Sequence, residues 1–446
     1  MFKTIRNAWS IPDLRRKILF TLLIIVLFRI GSVIPVPFLD TTALAEAMKL
    51  ITDNPDSSTN MLAYLNTLSG GAFANATLFA MGITPYINSS IIMQLLCVAI
   101  PPLERMAKEG EAGRRKIGTI TRYVTVGLGL IQGTAYYFYL RNTMTESGQH
   151  ITIYNEGFDM WFSAIVIILV FTAGTALMMW LGEQINKKGI GNGISILLFA
   201  GIVAQLPATI DTLGKFWGMA NEGYTHYYVF VPLFVLIFLA VIWVITFMQD
   251  SERRIPIQYA KRVVGRKMYG GQSSHLPIKV ALGGVLPIIF ASSILSIPGT
   301  INLFLKIQPG DGFWGAFFAA FNTNGWLYMV LYFILILMFA YFYTTIQYNP
   351  VEMANNLKAN NGTVPGIRPG APTADYIKNI LSRITLIGAL FLAFIAMVPI
   401  IYGALSGMHN MAIGGTSIII IVGVALETVK QLESQMMMRH YKGFLD

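Results

Sequence analysis

"SGGAFANATLFAMGITPYINSSIIMQLL", residues 69–96, ends like a membrane helix and begins unlike one. Gly70 and Gly71 stand side by side, Pro85 interrupts the run, and Asn88, Ser89, Ser90 and Gln94 follow. Glycine frees the backbone, and proline inside a helix removes a hydrogen bond. A hinge, a kink and a polar stripe in one apolar segment point to broken backbone at membrane depth. Such breaks are tolerated where they are buried in protein or line a watery cavity.

The rest of the chain places this segment in lipid. Of 446 residues, 54% are hydrophobic and 12% charged, where soluble domains carry about 25% charged residues. Mean hydropathy is +0.59. Apolar runs of about 20 residues, long enough to cross the hydrocarbon core, recur from end to end. Ten spans fit the breaks: 18–36, 76–98, 118–140, 159–182, 191–209, 227–248, 283–305, 326–347, 384–404 and 414–431. Residues 57–72 form an extra half-apolar piece before the second span. The first run is too long for a signal-peptide core and lacks a small-residue cleavage site, so no cleaved leader is expected. The basic "MFKTIRNAWSIPDLRRK" before it suits a membrane surface or a simple topogenic flank equally well.

Charge orients these spans. With the N-terminus cytoplasmic, 27 of the 32 Lys and Arg fall on that side. Only Lys49, Arg141, Lys215 and Lys306 fall outside, while Arg29 lies within the first span, near enough to its outer end to snorkel. This is a positive-inside pattern with both termini cytoplasmic. The net charge of +10 is then mostly topology rather than a sign of nucleic-acid binding. Five spans lie within 18–209 and five within 227–431. An odd-numbered half permits inverted repeats, although no residue-level self-similarity is visible.

Several chemistries find no residues to carry them. Ion-coupled transporters keep ionisable groups inside their spans, and these spans are almost free of them. There is no Walker A loop, no HExxH and no Ser/His/Asp arrangement. The five histidines (150, 226, 275, 409 and 440) fall in loops or at ends without ligand spacing, and the single Cys97 sits in an apolar run. "GIGNGIS" at 189–195 superficially resembles a nucleotide loop but lacks a βαβ context. No enzyme activity, metal or cofactor is expected.

What remains is polar helix and basic loop. Span two carries Asn88, Ser89, Ser90 and Gln94; span five opens on Gly191, Asn192, Gly193 and Ser195; span seven holds Pro287, Ser292, Ser293 and Pro298. Singly, each suits tight helix packing; together they suggest a path for something large and varied. Residues 250–280 carry seven Lys or Arg against Asp250 and Glu252. "IPIQYAK" alternates like a strand, and Gly270–Gly271 marks a turn. Residues 348–383 contain "NLKANNGTVPGIRPGAPT", rich in Gly, Pro and Asn. Either loop is a topological connector or a docking surface for an anionic partner such as ribosomal RNA.

Seven stretches resemble the bacterial SecY family. They are "FRIGSVIPVP" (28–37), residues 69–96 above, "KEGEAGRRKIGTITRY" (108–123), "LGEQINKKGIGNGISI" (181–196), "RRIPIQYAKRVVGRKMYGGQSSHLPIK" (253–279), "NPVEMANNLKANNGTVPGIRPG" (349–370) and "GGTSIIIIVGVALETVKQLESQ" (414–435). The resemblance implies an all-α polytopic membrane protein with ten transmembrane helices in two pseudo-symmetric five-helix halves around a pore. Secretory chains would cross that pore, and membrane proteins would leave it sideways into lipid. Its aliphatic ring falls on Ile83, Ile87, Ile194, Leu198, Ile289 and Ile420. Leu198 replaces a common Ile, and Phe38 stands where the family often has Gly. The plug and its hinge fall on Met61, Leu65, Leu68, Gly70 and Gly71. Asn88, Gln94, Asn192, Ser292 and Ser293 become polar lining of a lateral gate between spans two and seven. The loops become docking sites for the ribosome and the motor ATPase SecA, through Arg253, Arg254, Lys261, Arg262, Arg266, Lys267, Lys358 and Arg368. SecE-like and SecG-like small membrane subunits, signal-bearing polypeptides and the bilayer complete the implied partners.

The expected organisation is a cytoplasmic N-terminal segment (1–17) and a first half with spans one to five and the plug at about 57–72 (18–209). An outer loop, span six and the large basic loop follow (210–282), then spans seven to ten with the second loop (283–431) and a cytoplasmic tail (432–446). The expected location is the bacterial cytoplasmic membrane. A secondary transporter of a small solute, and a scaffold that only anchors ribosomes, are the alternatives.

Overall fold

Most of the long apolar runs are helix. The computed structural model describes residues 2–44, 46, 66, 69–142, 150–154, 156–259, 262–264, 267–269, 273–281, 283–305, 312–321, 325–406 and 415–442. Helices α1 (Phe2–Ser10) and α2 (Pro12–Gly31) meet at Ile11, where Pro12 opens the second. Proline is tolerated there because a first-turn N–H has no intrahelical acceptor. Next come α3 (Thr84–Ala99), α4 (Pro101–Lys108), α5 (Glu111–Asn142), α6 (Gly157–Lys188), α7 (Gly193–Ala204), α8 (Leu206–Asn221) and α9 (Tyr227–Asp250). After a stretch of strands follow α10 (Leu286–Leu305), α11 (Gly312–Ala320), α12 (Trp326–Gln347), α13 (Pro350–Ala359), α14 (Ala371–Ser406) and α15 (Gly415–Lys442).

Each of the ten expected spans overlaps a helix, with shifted ends. Among the described residues, five helices are long and apolar enough to cross a membrane, or six if α3 and α4, bent by 101° at a break before Pro101–Pro102, count as one. Helix α2 carries Arg15, Arg16, Lys17 and Arg29, and the apolar part of α10 stops at Gly299 after Pro298. The second span was expected from residue 76, but residues 69–83 are turns with one isolated bridge, and the helix begins at Thr84. The fifth pauses at Gln205 before Pro207 and resumes as α8. The ninth begins at Ala371, well ahead of residue 384.

The bundle shares one hydrophobic core. Phe28, Ile91, Met178 and Leu197 from the first part join Phe290, Tyr332, Phe339 and Leu392 from the second. In lipid, apolar burial alone does little to hold helices together, since lipid tails are as apolar as leucine; close packing does the work. Glycines mark the closest approaches. A Cβ on Gly193 would stand 1.9 Å from the Gly182 carbonyl oxygen, and one on Gly174 would stand 1.9 Å from that of Leu78.

Outside the bundle the fold is not all helix. Strands β1 (Glu252–Tyr259), β4 (Ser273–Lys279) and β5 (Gly362–Thr363) form a sheet in the order β4-β1-β5, and β2 (Arg262–Val264) pairs with β3 (Lys267–Tyr269). The alternation of "IPIQY" is strand: Ile255 and Ile257 are buried between exposed neighbours. Ile255, Ile278 and Val364 pack on Ile377, Leu381 and Ile384 of α14. Gln258 pairs with Thr363, so the two basic loops are joined through one sheet. Elsewhere α1 packs on α15: Ala8, Leu14, Ile190 and Leu432 share a cluster, and the Thr4 hydroxyl donates to Glu433 Oε1 at 3.0 Å. The first and last helices therefore lie against each other.

Candidate functional site: the waist and its two flanking helices

The segment before α3 is folded onto itself by its own polar groups. The Asn66 carbonyl accepts from the Gly71 N–H (2.9 Å) and the Ser69 hydroxyl (3.1 Å), and Asn66 Oδ1 accepts from the Ala74 N–H (2.9 Å). Ser69 Oγ accepts from the Phe73 N–H at 3.0 Å. Neighbouring helices then hold this knot. Tyr136 of α5 donates to the Phe73 carbonyl, Phe79 stacks on Phe28 of α2, and Val36 and Leu78 exchange backbone bonds with Ala76 and Ile34. Gly70 and Gly71 have φ of +68° and +90°, which side chains with a Cβ rarely adopt. Phe38 adopts φ +66° without being glycine, which gives the family's glycine there a physical reason; its ring rests against Tyr154 and Phe162.

Gly82, at φ +56°, ends the turns, and Pro85 sits in the first turn of α3. From there the residues expected to form the ring fall in one apolar cluster. Ile83, Ile87, Leu198, Ile289 and Ile420 are at most 6% exposed within one cluster, and half-buried Ile194 packs against it. They come from the start of α3, from α7, from α10 and from α15. Helix α3 lies against α10, with α5 touching both and α12 beside α10.

The polar candidates divide. Asn88 is half-buried on α3, and Gln94 donates to Ser90 Oγ one turn away at 3.2 Å. Ser292 and Ser293 are buried on α10; the Ser292 hydroxyl donates to the Ile289 carbonyl at 3.0 Å. Asn192 stands apart. Its side chain accepts from the Ile194 N–H at 3.1 Å and so caps α7, a helix that packs on α2, α6, α8 and α15. Asn186 Oδ1 accepts from the Gly193 N–H at 2.7 Å. The polar run of "GIGNGIS" is thus used in starting a helix that touches α6 at backbone distance.

Arg29 is half-buried, and its Nη1 donates to the Gly70 carbonyl at 3.1 Å. On the loops, Arg253, Arg254, Lys358 and Arg368 are all exposed, Arg254 pairing with Glu252 at 2.8 Å. Arg262 and Lys267 fall in β2 and β3. Met61, Leu65, Leu68, Lys261 and Arg266 lie outside the described residues. Sequence reading missed a two-pronged pair, Arg122 Nε and Nη2 on Glu183 at 2.6 and 2.7 Å, which joins α5 to α6. Its signal was present, since both residues fall inside family-like motifs, but no sequence spacing pairs positions 61 apart.

Known proteins match this arrangement. The family model described as SecY matches residues 77–429. A protein translocase subunit SecY from Streptomyces coelicolor is 44% identical over 100% of both chains, and one from Halalkalibacterium halodurans is 45% identical over the same shares. Among solved structures, one described as a protein conducting channel has a TM-score of 0.62 at 19% identity, over 94% of this chain and 92% of that one. Canine Sec61 in a ribosome-channel complex from the endoplasmic reticulum has a TM-score of 0.56 at 18% identity, over 94% and 92%. By the family match and by full-length relatedness, the chain belongs to the SecY family.

Proposed function

We propose that this chain is the pore subunit of a protein translocase, passing secretory polypeptides across a bacterial cytoplasmic membrane and releasing membrane proteins sideways into it. The observation that carries the reading is the convergence of Ile83, Ile87, Ile194, Leu198, Ile289 and Ile420, from four separate parts of the chain, on one apolar cluster. An aliphatic constriction offers a passing chain no strong polar attachment. When empty, it excludes water and therefore ions. The relatives are translocase subunits, which leaves the solute-transporter alternative without support.

Finer features belong to the same proposal. Ten spans form two five-helix halves, with both termini cytoplasmic. Residues 57–72 hold the plug, with Gly70 and Gly71 at its root. The sideways exit lies between α3 and α10, which touch each other, so this arrangement corresponds to a shut gate. Asn88, Gln94, Ser292 and Ser293 adjust the cost of parting these helices. The two joined loops present Arg253 and Arg254 from β1, Lys358 from α13 and Arg368 from the turn before α14 to the ribosome and to SecA. Among structural neighbours, Sec61 and the yeast Ssh1 complex are ribosome-bound. SecE-like and SecG-like subunits complete the assembly, and the driving energy comes from partners or the membrane potential.

Cysteines at Ile87 and Ile289 test the pore. Both should crosslink to a secretory chain stalled in transit, while cysteines at exposed Ile92 and Ile297 on the outer faces of the same helices should not. Absence of crosslinks at the first pair removes the pore assignment.

A further inference from the structure

We propose that Arg29 is the positioning residue that holds the Gly70–Gly71 turn, and with it the plug, in the closed channel. The inference rests on the plug reading above. Arg29 is the Lys or Arg that the span reading leaves within a span. An ionised group at that depth is costly and is retained where it has a partner and a task. Here the partner is a backbone carbonyl: Arg29 Nη1 donates to Gly70 O at 3.1 Å. A charged donor makes such a bond about twice as strong as a neutral one.

The turn is shaped to be held. A Cβ on Gly70 would stand 3.0 Å from Gly201 Cα and 3.3 Å from Arg29 Nη1, and one on Gly71 would stand 2.8 Å from Gln205 Nε2. The two glycines therefore sit pressed between α2 and the end of α7, in left-handed backbone, with a cation aimed at the carbonyl between them. This is the geometry of a seat rather than of a free swivel. Asn66 and Ser69 tie the residues on both sides of Gly70 into one unit, so releasing that carbonyl releases the whole lead-in. When the turn moves away, the guanidinium loses its acceptor. The contact therefore favours the closed state selectively, which is the condition for shifting an open–closed equilibrium.

The test uses the assembled translocase with its small subunits. In planar bilayers, Arg29→Met should raise resting ion conductance, and in cells it should raise export of a precursor with a defective signal. Losing a charge-assisted bond from the closed state alone raises the open fraction roughly tenfold or more. Arg29→Lys keeps a cationic donor and should stay close to the parent, and Arg29→Gln should fall between. A second readout is independent of conductance. Ala72, with no exposed surface, is changed to Cys in a Cys97→Ser background, and its alkylation from the outer side should accelerate in Arg29→Met or Arg29→Gln. Unchanged conductance and alkylation in these variants, with deletion of residues 61–68 causing leak, overturn the latch and leave the plug standing. A deletion that leaves conductance unchanged overturns the plug reading itself.

Discussion

The two helices that meet at the waist begin in the same way and are approached differently. Helix α3 follows "GITPYI" (82–87) and α10 follows "GVLPII" (284–289). Gly82 and Gly284 have φ of +56° and +57°, a proline stands three residues on in the first turn, and the next isoleucine but one, Ile87 or Ile289, is buried in the shared core. Each lead-in also presses a carbonyl against a glycine of a long helix: Leu78 against Gly174 of α6, and Val280 against Gly388 of α14. The approaches differ. Before Gly82 lies the knot of residues 69–81, held by Arg29, Tyr136 and Phe28. Before Gly284 the chain comes from β4, which ends at Lys279, with the Val280 N–H bonded to the Ser251 carbonyl. One helix start is tied to the knot of turns inside the bundle, the other to the sheet outside it. On the proposed reading, equivalent waist positions are coupled to different events, plug position on one side and loop contacts on the other.

The largest effects should come from the positions where the two helices are alike. Ile87→Asn and Ile289→Asn each bury an amide in the apolar cluster, at a cost of about 1–3 kcal/mol for an unsatisfied polar group. Both should wet the constriction, raising ion leak and admitting weak signals to similar degrees. Resting conductance and signal selectivity measure this. If only one of the pair leaks, the two isoleucines are not equivalent members of one ring. Charge reversal at exposed Arg368, by contrast, should reduce export without altering either resting leak or thermal stability, because it touches the joined loops and not the waist. Altered leak in that variant would mean that the loops and waist are not separable.

Next in size are the pressed glycines. Gly174→Ala puts a methyl 1.9 Å from a backbone oxygen, and Gly388→Ala puts one at 2.5 Å. Neither oxygen belongs to a flexible side chain, so backbone must move, and overpacking of this kind costs typically about 1–3 kcal/mol. Gly174→Ala should lower the melting temperature of the purified protein more than Gly388→Ala. The reverse order would show that the knot before α3 yields more easily than the short approach to α10.

Much of this was open to reading from the sequence, for physical reasons. Lipid demands long apolar helices, so hydropathy located a helix at every expected span, and motifs carried the family. The start of α3 was hidden because "AFANATLFAM" is as apolar as a helix; a left-handed Gly82 and backbone N–H groups bonded to the Asn66 and Ser69 side-chain oxygens make it turns. The sheet was half visible. Alternation marks β1, but its pairing with Thr363, 105 residues on, is a tertiary fact. Asn192 looked like channel lining because a polar residue at a helix start reads the same whether it faces a gate or caps the helix. The likeness between "GITPYI" and "GVLPII" escaped because Gly, Pro and one Ile are too few to stand out without the backbone angles.

The smallest expected effect is the sharpest test of that likeness. Gly82→Ala and Gly284→Ala both force a Cβ into left-handed backbone, at about 1–2 kcal/mol. Neither is complicated by a clash: the nearest atom to a Cβ on Gly82 is 3.5 Å away, and none lies within 4 Å at Gly284. Strain alone should decide the outcome, and the two variants should lose equal thermal stability. Their functional outcomes should then part. Strain at Gly82 pushes on the knot of residues 69–81 and should raise resting leak slightly. Strain at Gly284 has no such neighbour and should leave the resting channel sealed. Equal destabilisation with unequal leak would locate the asymmetry of the channel in the approach to α3 rather than in the two helices themselves.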